Sequence, residues 1–133
     1  MVDHNNLQDL RENKMKTWST DYADKKFREL ILARDRVCQR CGKICSRLEV
    51  SHFFPRNNSA TRFDPANVEI LGFSCHWGNA QGWEFKKQTD YRDFKIRQLG
   101  QERYDELVKR SNTLMPREKA IKNLMKMLSE VKP

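Results

Sequence analysis

A chain of 133 residues carrying 26 lysines and arginines against 18 aspartates and glutamates, a net charge of +8, has the length of one domain with a modest core and a charge that favours polyanionic partners, nucleic acid first. No apolar run approaches the ~20 residues of a membrane-spanning helix, and the opening MVDHNNLQDL lacks a signal-peptide core, so no membrane association and a cytoplasmic location are expected. In that compartment the four cysteines, Cys38, Cys41, Cys45 and Cys75, point to metal or thiol chemistry rather than to disulfides.

Residues 1–17 are polar and without a sustained period, and read as a loosely held arm. From Ser19 or Thr20, either a suitable N-cap, a helix is predicted to about Ala33, with Tyr22, Phe27, Leu30 and Ile31 on one face. Residues 36–82 change character. Two short alternating stretches, 47–53 and 67–73, predict a strand pair joined by the long polar loop NNSATRFDPAN. Helical patterns then run from about Thr89 to Leu99, stop at Gly100, resume through Leu107, and restart after Pro116. In the last of these, Ile121, Leu124, Met125, Leu128 and Val131 form an apolar stripe, with Lys119, Lys122 and Lys126 off it. The expected organisation is an α+β domain over 18–111, preceded by the arm and followed by an amphipathic helix over 112–133.

Cys38-Gln39-Arg40-Cys41-Gly42 reads as a knuckle, two thiolates three residues apart followed by a glycine that permits the tight turn around a tetrahedral ion. Zinc is its natural occupant. A closed structural site takes four ligands, so Cys75 and Cys45 are expected to complete it. A redox CxxC motif is the competing reading, but nothing nearby resembles the βαβ unit of a thioredoxin.

Between the knuckle and the C-terminal helices stand VSHFFPR (50–56), the loop ATRFDPANV (60–68) and LGFSCH (71–76). A histidine closing the first strand, a proline three residues later, an asparagine opening the second strand and Cys-His beyond it resemble the HNH endonuclease signature. CQRCG and the helical segment YRDFKIRQLGQERYDEL narrow the likeness to phage recombination nucleases of the NinG/Rap type, over about residues 27–108. The resemblance implies a ββα-metal HNH core with a structural zinc site, flanked by an N-terminal helix and C-terminal helices. It also implies a DNA endonuclease at work in the host cytoplasm. Three departures stand out. Gly72 replaces the first cysteine of the family's second pair, which is why Cys45 is inferred as substitute. Ser51 stands where many members carry an acidic metal ligand, and Gly78 and Gly82 fall where the family has its short helix, which is therefore expected to be short or irregular.

Hydrolysing a phosphodiester takes an activated water and positive charge where negative charge accumulates. By resemblance His52 is the general base, Asn67 holds the loop that bears it, and His76 ligates a catalytic Mg2+ or Mn2+, with Asn79 and Ser51 as further ligands and Asp64 as a weaker one. His76 as a zinc ligand in place of Cys45 stays open. Arg36, Arg40, Lys43, Arg47, Arg56 and Arg62 outnumber Glu49 and Asp64 across 36–66. Of these, Arg56 and Arg62 are best placed for DNA phosphates. Trp77 and Trp83 suit either base stacking or packing of the hairpin. The implied partner is DNA, and for two-fold symmetric junctions a homodimer through the C-terminal helices. A zinc-bearing DNA-binding module without catalysis is the alternative.

Overall fold

The computed structural model describes residues 16–43, 47–77, 82–83 and 88–130. Helix α1 (Thr20–Arg34) starts where Ser19 Oγ accepts a hydrogen bond from the Tyr22 N–H at 3.2 Å. Its buried stripe is Ala23, Phe27 and Ile31. Tyr22, expected on that face, is 42% exposed, because one residue before Ala23 lies about 100° around the helix from the 23–27–31 line.

Strands β1 (Leu48–His52) and β2 (Val68–Gly72) pair antiparallel, with Val50 opposite Ile70 and His52 opposite Val68. The long loop between them is more ordered than its composition suggests. It holds a one-turn helix α2 (Ser59–Arg62) and a 3-10 turn, Pro65–Asn67, in which the Asp64 carboxylate accepts from the Ala66 N–H at 3.0 Å and Pro65 fills the first helical position.

All of β2 is buried, and its outer edge is covered by polar groups rather than by a third strand. Arg34 donates to the carbonyls of Pro65 and Val68, Asp35 accepts from the Ile70 N–H, and the Gln39 N–H donates to the Ile70 carbonyl. These bonds satisfy backbone groups that an open edge would leave unpaired.

After β2 comes α3 (Phe73–His76), only four residues long. Residues 78–81, with Gly78 and Asn79, and 84–87 lie outside the described residues. Helices α4 (Gln88–Leu99) and α5 (Gln101–Ser111) are separated by Gly100, whose φ of +81° ends α4 while its N–H still reaches the Ile96 carbonyl. Helix α6 (Arg117–Ser129) follows Pro116.

Alternation along the strands sends neighbours to opposite faces, and each face has its own core. On one, Val68 and Ile70 join Ala23, Phe27 and Ile31 of α1, Phe63, and Ala120, Ile121 and Leu124 of α6. Met125 and Leu128 flank this cluster, while Val131 lies outside the described residues. On the other, Leu71 packs with Cys38, Trp83 and Tyr91. Among the described residues no helix is long and apolar enough to cross a membrane.

Candidate functional site

The knuckle forms as its sequence predicts. Gly42 takes φ +73° and donates its N–H to the Cys38 carbonyl at 2.8 Å, while the Cys38 N–H reaches the Lys43 carbonyl. This turn and helix α3 bring the sulfurs of Cys38, Cys41 and Cys75 within 4.8 Å of one another. Thiolates about 2.3 Å from a shared tetrahedral ion sit ~3.8 Å apart, so the three sulfurs suit a metal ion such as zinc. Cys45, the expected fourth ligand, lies outside the described residues. Burial, with Cys38 and Cys41 beside it, pushes the Cys75 thiol up to about 12. Burial also pushes Cys38 up, but hydrogen bonds from the backbone of Gly72, Cys41 and Arg40 outweigh it and leave this thiol lowered. Gly72, where the resemblance implies a cysteine, thus serves the cluster through its backbone. Trp83 N–H and Arg40 both donate to the Cys75 carbonyl, at 2.9 and 3.0 Å, and Arg40 lies 4.8 Å over the Trp83 ring.

Along β1 runs a cleft of about 620 Å3, lined on the strand side by Arg47, Glu49 and His52, and closed by Asp24 and Arg28 of α1, Arg56, His76 and Trp77. Two of the expected histidines therefore share one cavity. His76 is buried and its Nδ1 lies 3.3 Å from Glu49 Oε1. His76 is absent from the cysteine cluster, so among the described residues the zinc-ligand alternative gains nothing.

His52 is held by its surroundings. Its Nε2 sits 2.9 Å from the Arg62 carbonyl, which can only accept, so Nε2 carries the proton and Nδ1 is the basic nitrogen. Burial lowers its pKa to about 4, partly offset by the hydrogen bond to Arg62. Asn67, fully buried, fixes the chain just beyond it. The Asn67 carboxamide accepts from the Phe54 N–H at 2.8 Å and donates to the carbonyls of Phe54 and Thr61, both at 3.0 Å. Asn67→Ala removes three buried hydrogen bonds and is expected to cost about 3 kcal/mol, read as a lower urea midpoint at unchanged slope.

Three expected positions sit differently. Ser51 does not line the cleft; it is fully buried, with its Oγ 2.9 Å from the Tyr91 hydroxyl. Tyr91 donates to Glu69, which pairs with Lys95 at 2.7 Å, and Lys95 donates to the Ala66 carbonyl at 2.6 Å and to Gln98 Oε1 at 3.1 Å. Arg62 is 8% exposed, its guanidinium spent on both oxygens of Asp24, at 3.1 and 2.6 Å, and on the Arg56 carbonyl, which leaves Arg56 as the exposed arginine of the pair. Asp64, besides capping the 3-10 turn, pairs with Arg110 at 2.7 Å. Asn79 lies outside the described residues. Trp83 packs, stacking on Tyr91 at 4.7 Å, whereas Trp77 is 39% exposed at the cleft.

Glu49 is the residue that sequence reasoning passed over, counted only as a charge. Its signal is a lone carboxylate within the strand that ends at His52, in an otherwise basic segment. No protein-family model, curated protein or solved structure matches the chain.

Proposed function

We propose that the chain is a metal-dependent DNA endonuclease of the HNH type, with β1, β2 and α3 as its ββα-metal unit. The observation that carries this reading is the convergence of His52, Glu49 and His76 on one cleft whose rim bears Arg56. Their chemistry fits a divalent cation: one carboxylate and one imidazole, 3.3 Å apart, with space beside them for water and a phosphate. Glu49 and His76 would hold Mg2+ or Mn2+, with Asn79 as a further expected ligand; when bound, the ion would neutralise charge developing on the scissile phosphate.

The rest of the mechanism belongs to the chain itself. With Nε2–H tied to the Arg62 carbonyl, His52 turns Nδ1 toward a proton and takes it from the attacking water. A pKa of about 4 keeps this nitrogen unprotonated at neutral pH. A phosphate in the cleft adds negative charge beside the ring and raises that value, which makes His52 a stronger base when substrate is bound. Asn67 fixes the turn after His52 and so its ring, and Arg56 attracts the phosphate.

The substrate class that the resemblance supports is branched or recombination DNA, and the setting a phage protein in the host cytoplasm. On a two-fold symmetric junction a homodimer through the C-terminal helices would serve, using residues other than Ala120, Ile121 and Leu124, which are buried within the chain. A zinc-bearing module that binds DNA without cutting it is the second reading, favoured by the withdrawal of Ser51 from the cleft.

The test is cleavage of matched duplex, single-stranded and four-way-junction DNA by wild type and His52→Ala, with Mg2+, Mn2+ or EDTA. Metal-dependent cutting that falls by about 10^2-fold or more in His52→Ala, at unchanged DNA affinity, is expected. Binding without cutting under every metal selects the second reading. The pH profile is a further check. Because the folded pKa of His52 is depressed, kcat/KM is expected to stay level down to well below pH 6.5 and to fall only as pH drops toward 4, with the acid limb of kcat displaced upward. Folding stability follows the same sign: protonation of this buried ring disfavours the native state, so stability falls as pH drops from 6.5 through 4.

A further inference from the structure

Beside the cleft, and sharing Pro55 with it, lies a second cavity of about 420 Å3 lined by Phe53, Phe54, Trp83, Gln88, Thr89 and Arg92. Three observations characterise what it suits. Phe53 and Phe54 meet edge to face at 5.0 Å and are only half-buried, so their aromatic surface is incompletely covered. Trp83 is 5% exposed, and its indole Nε1–H has no acceptor among the described residues. Such a buried donor costs free energy until something accepts from it. Arg92, exposed on α4, adds positive charge at the wall.

The fitting occupant is flat, carries acceptor atoms on its edge, and is attached to a polyanion. A nucleobase answers all three. Its source is also close at hand, because Phe53, Phe54 and Pro55 follow His52 directly. Three residues of chain span at most about 10 Å, on the order of three nucleotide steps of B-form rise. We propose that this cavity receives an unpaired nucleobase from the strand whose phosphate lies at His52, stacked on Phe54 and accepting a hydrogen bond from Trp83 Nε1–H. This rests on the nuclease reading and gives it a selectivity. A base must leave the duplex to enter, and extrusion is least costly at a bulge, a mismatch or a branch point, so DNA with an unpaired nucleotide is favoured over matched duplex.

The experiment uses the full chain without added Mg2+ and two DNAs of one length, a matched duplex and the same duplex with a single bulged 2-aminopurine. Wild type is expected to bind the bulged DNA roughly tenfold or more tighter and to quench the probe by stacking. Phe54→Leu keeps apolar volume but has no aromatic face, and should lose most of that preference and the quenching. Phe54→Trp should keep both. Equal affinity for the two DNAs, or an equal loss on both in Phe54→Leu, overturns the proposal. Cleavage in Mg2+ is followed on the same DNAs. Bulge preference without cutting contradicts the nuclease reading and leaves the pocket standing; cutting without bulge preference contradicts the pocket alone.

Discussion

Removing the metal ion that the Cys38–Cys41–Cys75 cluster suits, zinc on the proposed reading, is expected to cost on the order of 10 kcal/mol of binding free energy that otherwise supports folding, the largest single effect expected in this protein. The cluster draws three pieces together: the knuckle, which the Gln39 hydrogen bond to Ile70 and the Arg40 hydrogen bond to the Cys75 carbonyl also anchor, the single turn of α3, and Trp83, which reaches the cluster through the Cys75 carbonyl. Only the smaller core, with Leu71, Trp83 and Tyr91, lies against it, whereas the larger core between α1, the strands and α6 does not include any of the cysteines. A strong chelator, or Cys75→Ser, should therefore release the 38–43 and 73–77 segments first. Hydrogen exchange should rise there well before it rises at Ile31, Ile70 or Leu124. Metal analysis should find zinc bound, with the thiols reacting with a disulfide reagent only after chelation. Thiols that respond to oxidant and ignore chelator would favour the redox reading.

Lys95→Met is expected to cost about 3–5 kcal/mol, the second largest effect. Lys95 and Glu69 are both fully buried and 2.7 Å apart, and Tyr91 links Glu69 to Ser51. Deleting the ammonium leaves a carboxyl in an apolar interior without its partner. Burial already holds the Glu69 pKa above its usual value, despite the opposing pull of Lys95, and removing Lys95 raises it further. A carboxyl whose folded pKa exceeds its unfolded one weakens folding as pH climbs above about 4.3, so the deficit of Lys95→Met should widen toward pH 8 and shrink toward pH 4. The double variant Lys95→Met/Glu69→Gln, which removes both charges, should recover most of the loss in urea unfolding. A double variant no more stable than the single one would show that the pair matters through packing rather than charge.

Much of this architecture is legible in the sequence because the signals are local. The Ser19 cap, the two alternating stretches, Gly42, Gly100 and Pro116 each act on the chain beside them, and the elements begin and end near those residues. The knuckle and the inclusion of Cys75 follow from spacing alone. What spacing does not give is which side chains meet across elements. Arg62 looks like a surface cation until α1 brings Asp24 against it, and Lys95 looks solvated until β2 places Glu69 beside it. Ser51 and Glu49 share a strand face by alternation, yet Ser51 is enclosed by Tyr91 and Glu69 while Glu49 sits beside His76 at the cleft. That contrast depends on where α3 and α4 pack, and no single-residue pattern encodes it.

The central proposal is that Glu49, His76 and His52 act as one nuclease site, and the rate of junction-DNA cleavage against Mn2+ concentration tests it most directly. Wild type should cut only with metal. Glu49→Ala should require at least about tenfold more Mn2+ for half-maximal rate, since a carboxylate ligand is gone. His52→Ala should leave that requirement unchanged and lower the saturating rate by about 10^2-fold or more. Cleavage by wild type that needs no metal, or that survives both substitutions with its rate and metal requirement unaltered, would contradict the account.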